Sequence, residues 1–193
     1  MGTRSLIGFT HNGVTKASYN QYDGYPSYMG VQMLTFADTL AERYGNDKIS
    51  IINGLGADID KLIVVPENGT PTDAERVKLA EFSDDGVSTG ADWYSTLRNC
   101  QGDPDAILRS GYILDSFSFG YDSLFCEWAY IIDLDTYTLD IYQGFRKTPT
   151  SLDGLWDDVQ ANGSDYIGVQ KIASFSLDNL PDMELMTSLD SYE

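Results

Sequence analysis

Residues 124–145 read LFCEWAYIIDLDTYTLDIYQGF, and this stretch decides the fold. Two runs rich in Ile, Tyr, Phe and Trp flank the polar tetrad Asp135-Thr136-Tyr137-Thr138. β-Branched and aromatic side chains suit a pleated, half-buried surface. The spacing therefore predicts strands over 124–134 and 139–145, joined in a hairpin. Toward the N-terminus the pattern recurs. Residues 3–10 (TRSLIGFT) and 14–22 (VTKASYNQY) flank His11-Asn12-Gly13, and Asn-Gly is the strongest short hairpin signal.

Helical signals lie between these hairpins. Ser27 is a plausible cap for a helix over 28–44, in which Val31, Leu34, Ala37, Leu40, Ala41 and Tyr44 recur at helical spacing and Gly45 stops the run. Residues 48–55 (KISIINGL) and 61–65 (KLIVV) read as short strands, the first alternatively as a helix edge. Thr70 as cap, Pro71 at the first helical position and Asp73 open a helix running to about Phe82. Residues 93–99 give a helical turn or two, and Asp103-Pro104 starts a short helix that Gly111 stops. Residues 112–119 and 166–177 read as strands, 151–161 as a helix weakened by Gly154, and 181–193 as a loosely ordered tail. There is no internal repeat and no dividing linker, so the expectation is one α+β domain over 1–180, with a largely antiparallel sheet and several helices.

Composition narrows the partners. A hydrophobic fraction of 42% in 193 residues excludes general disorder. The 12 Lys+Arg face 30 Asp+Glu, a net charge of −18, which repels phosphate backbones and anionic membrane surfaces. No apolar run approaches a membrane span. Of the acids, 23 are Asp, many beside Gly in turns, where the short side chain bonds nearby N–H groups. Solubility and turn chemistry explain most of that charge. The sharper reading is recognition of a cationic protein, with residues 83–92 and 153–165 as the densest acidic segments. Two isolated cysteines make neither a disulfide framework nor a zinc site, and no apolar run has the length of a signal peptide's core. A reducing cytoplasm is expected.

Catalytic sets are incomplete. His11 is the only histidine and sits in a turn, so base-assisted Ser or Cys chemistry would depend on it. Cys126 lies in a β run with no base or positive field visible, and reads as a core residue. The pairs Asp58/Asp60, Asp103/Asp105 and Asp133/Asp135 have the oxygen ligands hard cations favour, but none fits a calcium loop. No glycine pattern cradles a nucleotide. No metal and no cofactor is expected.

Two segments carry a resemblance. The opening MGTRSL and residues 19–26 (YNQYDGYP), with WYSTLRNCQGDP and the hairpin quoted above, resemble a family of small uncharacterised proteins of bacteriophages and some bacterial genomes. The resemblance covers roughly residues 1–45 and 92–146 and implies a phage or bacterial setting. Its matching residues are Thr3, Arg4, Ser5, Tyr22, Asp23, Gly24, Tyr25 and Pro26. The hairpin brings Arg4 near Asp23, where the two would either pair to pin the turn or, with Tyr25, rim a pocket. The opening also resembles N-terminal nucleophile hydrolases, but loss of Met1 would expose Gly2, which has no nucleophile. The leading expectation is a binder of a host or phage protein, acting as inhibitor, decoy or anti-defence factor, with Thr3, Arg4, Ser5, Tyr22, Asp23 and Tyr25 as contacts. The rivals are a small enzyme or ligand-sequestering protein with its pocket at Arg4, Asp23 and Tyr25, and a structural part of the virion.

Overall fold

The computed structural model describes residues 2–84, 92–157 and 165–191. In chain order the strands are β1 (Ser5–His11), β2 (Val14–Asn20), β3 (Ile63–Val65), β4 (Tyr112–Leu114), β5 (Trp128–Asp133), β6 (Thr138–Gln143) and β7 (Gln170–Ser176). The helices are α1 (Val31–Asp38), α2 (Leu40–Tyr44), α3 (Lys48–Lys61), α4 (Asp73–Lys78), α5 (Trp93–Thr96), α6 (Pro104–Ser110) and α7 (Met183–Ser188). Five strands form one sheet in the order β2-β1-β5-β6-β7. The β1–β5 contact is parallel and the other three are antiparallel, while β3 and β4 make a separate parallel pair. The fold is α+β.

Both quoted hairpins form, and their tips meet. Asn12 and Gly13 have φ of 53° and 72°, as a two-residue turn between twisted strands requires. Asp135, from the other tip, accepts hydrogen bonds from the Asn12 N–H at 2.8 Å and the Gly13 N–H at 2.6 Å. Strand alternation then builds two cores. Ile7, Phe9, Tyr130, Ile132, Leu139 and Ile141 face the helices. Leu6, Ala129, Ile131 and Tyr142 face the opposite side, where Trp156 is fully buried. The Trp156 indole N–H donates to the Phe117 carbonyl at 2.9 Å, and its ring stacks on Phe117. Also in this layer the buried Asp140 carboxylate takes Lys171 Nζ at 2.6 Å and the Ser174 hydroxyl at 2.6 Å, so the charge is not left alone.

Several expectations change. Residues 48–61 are helix α3, not a strand. Asp47 caps it by accepting from the Ser50 N–H at 3.0 Å, and Ile51, Leu55 and Ile59 bury one face at four-residue spacing. The helix expected over 28–44 is a π-helical turn, Pro26–Gly30, followed by α1 and α2. They part at Thr39, whose N–H donates to the Phe36 carbonyl three residues back at 3.0 Å, with its hydroxyl donating to the same oxygen. The cap of α4 is Thr72, not Thr70, in a reciprocal capping box with Glu75, which leaves Pro71 outside. Strand β4 ends at Leu114, and Phe117–Tyr121 is a 3-10 turn. Strand β5 starts at Trp128, so residues 124–127 precede it. Residues 151–157 are turns around the Trp156 anchor, and the rest of the helix expected there lies outside the described residues. Finally, residues 182–191 are ordered against the fold rather than loose, and the last two residues of the expected tail lie outside the described residues. Asp182 caps α7, Met186 is fully buried against Gly30 and Tyr130, and the Asp190 carboxylate accepts from the Ser27 N–H at 2.9 Å.

Candidate functional site

Strand β2 runs out beside two clefts. Alternation puts Tyr19 and Gln21 on one of them and Asn20 and Tyr22 on the other. The turn after β2 is built by close packing. Asp23 is left-handed at φ 53°, which a short Asp tolerates. The Gly24 N–H donates to the Thr3 carbonyl at 2.9 Å, and the Tyr130 hydroxyl donates to the Gly24 carbonyl at 2.8 Å. A side chain at Gly24 would sit 2.7 Å from the Ser5 Cβ, so only glycine fits. Ser5 is itself fully buried, and its hydroxyl accepts from Asn20 Nδ2 at 3.1 Å. Thr3 and Ser5 thus act as supports beneath the turn.

Arg4 does not join Asp23. Its N–H donates to Glu127 Oε1 at 3.3 Å and its carbonyl accepts from the Glu127 N–H, which fixes it beside residues 125–127. The guanidinium lies 4.9 Å from the centre of the Phe125 ring, a cation–π contact. Among the described residues Arg4 makes no ion pair with Asp23. Tyr25 donates to Asp23 at 3.3 Å, and the Asp23 charge raises its hydroxyl pKa. Of the residues singled out in the sequence, Tyr22 and Asp23 line a cleft, and Thr3, Ser5 and Tyr25 shape its turn.

That cleft, about 370 Å³, is polar. Tyr22 and Asp23 face Tyr28, Asn99, Gln101 and Asp103. Arg98 donates from one nitrogen to Gln101 Oε1 at 2.6 Å and to the Tyr94 hydroxyl at 2.7 Å, so it stands between the two clefts. Gln101 Nε2 is buried with no hydrogen-bond partner among the described residues. An unmade bond of that kind costs about 1–3 kcal/mol.

The second cleft, about 560 Å³, was not foreseen from the sequence. Glu67 follows β3 and Asp115 follows β4, so both sit at the carboxyl ends of parallel strands. Asp122 joins them from the end of the 3-10 turn. None of these carboxylates makes a hydrogen bond or an ion pair among the described residues. Tyr19 and Phe119 form an edge-to-face wall with ring centres 5.2 Å apart. Burial raises the Tyr19 hydroxyl pKa, Tyr94 and Glu67 push it further up, and Arg4 and Arg98 oppose them. Ser116 is only 8% exposed, and its hydroxyl has no partner among the described residues. The arrangement attracts positive charge and offers an aromatic face to it.

The other candidates have structural duties. His11 Nδ1 lies 3.0 Å from Asp60, against Gly56 of α3. Both cysteines are free and buried. Burial pushes the Cys100 thiol up to about 12 and raises Cys126 further, the opposite of an activated thiolate. Asp58 bonds Tyr44 and Lys61, Asp103 caps α6, Asp105 pairs with Arg43 and Arg109, and Asp133 accepts from its own turn. The acidic segments 83–92 and 153–165 fall largely outside the described residues. In comparison with known proteins, the chain matches no family model, no curated protein and no solved structure.

Proposed function

We propose that this chain is a binding protein for a positively charged partner macromolecule, engaged through the acidic cleft. The observation that carries this reading is the set Glu67, Asp115 and Asp122, unpaired carboxylates around one aromatic-walled cleft. Three like charges line one cleft with no cation paired to them among the described residues. An incoming Lys or Arg side chain removes their mutual repulsion and lies against Tyr19 and Phe119. The net charge of −18 draws such a partner in from a distance. The resemblance of MGTRSL and YDGYP to bacteriophage proteins supplies a context: an inhibitor, decoy or anti-defence factor acting on a host protein.

The test compares the native protein with a Glu67→Gln, Asp115→Asn, Asp122→Asn variant, using an octalysine peptide as probe. Saturable binding to the native protein, weakened by about tenfold or more in the variant, is expected; that is about 1.4 kcal/mol. Equal affinity for both would leave only unspecific charge attraction and overturn the cleft. Lysate captured by the same two proteins then identifies the partner as whatever the variant loses.

A further inference from the structure

A groove runs between α1 and α6. One end is the polar cleft beside Tyr22. The other is a hollow of about 420 Å³ lined by Val31, Thr35, Phe36, Thr39 and Pro104. Gln32 and Asp103 line both, so the two are neighbours along one groove. Its ends differ in chemistry. At the first, Asp23 and Asp103 form no ion pair among the described residues. Tyr22 and Tyr28 stand beside them, 57% and 47% exposed. At the second, the charges on the wall are Arg43 and Asp105, which pair with each other, and Asp105 also takes Arg109 Nε at 3.0 Å. The Arg43 guanidinium lies 5.0 Å from the centre of the Phe36 ring, so this end is apolar and electrically balanced.

We propose that this groove docks a segment of a partner protein that carries a basic side chain a few residues from a large aliphatic one. The charge pattern makes the choice. Two carboxylates without a paired cation draw a guanidinium or ammonium into the first end, where the tyrosine rings offer it their faces. The same two carboxylates oppose an anion there. The second end gains from burying apolar surface, since its own charges are already matched. A lone cation satisfies one end and leaves the other in water, whereas a peptide fills both. The groove is separate from the cleft of Glu67, Asp115 and Asp122, with Arg98 between them, and the proposal holds whether or not that cleft is used.

The test is fluorescence anisotropy of labelled peptides with the whole chain. The probe is acetyl-Gly-Arg-Arg-Gly-Leu-Leu-Gly-amide. One control replaces both Arg with Glu, and a second replaces both Leu with Ser. The probe should saturate the protein with a Kd of about 100 μM or tighter, and each control should bind about tenfold more weakly. Asp23→Asn with Asp103→Asn removes both charges and keeps the fold, because Asn tolerates the left-handed φ at 23 and still caps α6 at 103. Thr35 is exposed, and Thr35→Trp fills the apolar end. Either variant should weaken the probe by about tenfold, while the variant neutralised at Glu67, Asp115 and Asp122 should bind it as the native chain does. No saturation, a control that binds as well as the probe, or affinity lost only in the Glu67, Asp115 and Asp122 variant overturns the proposal. So does sedimentation showing that the free chain pairs with itself until Thr35→Trp is introduced, since a second copy would then own the groove.

Discussion

At the scale of single residues, short acids set much of the local structure. Asp47, Asp92, Asp103 and Asp182 each accept from the backbone N–H three residues on and so open α3, α5, α6 and α7. Ser50's hydroxyl, then its N–H, holds the Asp47 carboxyl below its ordinary value; Ser95's hydroxyl does the same for Asp92, and the Thr72 N–H for Glu75. A carboxyl whose folded pKa is depressed stabilises the fold above its unfolded pKa, about 4, and loses that contribution as pH falls through the lower folded value. Asp47→Asn keeps an acceptor but does not titrate. Between pH 5 and 2 the native protein should therefore lose more stability than the variant, as read by urea midpoints at each pH. Parallel losses would mean that the cap carboxylate carries no charge-dependent share. Of these caps only Asp103, before Pro104, was legible as a helix start; the sequence offered Ser27 and Thr70 instead, because an Asp serves turns as readily as caps. The Arg4–Asp23 pair was not legible either. Nearness along a hairpin says nothing about which neighbour a long side chain prefers, and Phe125 is more than a hundred residues away.

Elements were legible where β-formers were dense and a turn signal lay between them. The hairpins over 3–22 and 124–145 have both, and β1, β2, β5 and β6 follow, with β1 and β5 buried on both faces. Residues 48–55 misled because three isoleucines in four positions look like a strand. Their helical use shows only when burial is known: Ile49 is 70% exposed, while Ile51, Leu55 and Ile59 are buried. The C-terminal segment misled for another reason. Its polar composition hides two buried residues that fix it, Met186 and Leu189, and the receptor of Met186, Gly30 in the π-helical turn, is distant in sequence. If α7 is part of the core, Met186→Ala leaves a cavity and should cost about 2–5 kcal/mol in urea unfolding. A loss under about 0.5 kcal/mol, the range of ordinary surface changes, would restore the picture of a dangling tail.

At the scale of the molecule, the clefts were hidden from sequence because each is assembled from loops that only the topology brings together. Glu67 follows β3, while Asp115 and Asp122 lie at either end of the 3-10 turn between β4 and β5, and no motif joins them. Their chemistry connects to a property that was legible, the net charge of −18. Many cations already have partners: Arg43, Lys61, Arg76, Arg109, Lys147 and Lys171 are all in ion pairs. The surplus acids repel across the surface, and that repulsion opposes the compact state. Salt should therefore stabilise the free protein. Raising NaCl from roughly 20 to 500 mM shortens the screening length from about 20 Å to about 4 Å, and the urea midpoint should rise with the slope unchanged. Capture of the proposed cationic partner should weaken over the same range, so stability and binding should move in opposite directions. The variant neutralised at Glu67, Asp115 and Asp122 should be more stable than the native chain at low salt, by about 0.2–1 kcal/mol for exposed charges, and should gain less from added salt. A variant that is less stable at low salt would assign these carboxylates to holding the loops together, and would remove the reason for reading them as a site kept for a partner at the expense of the fold.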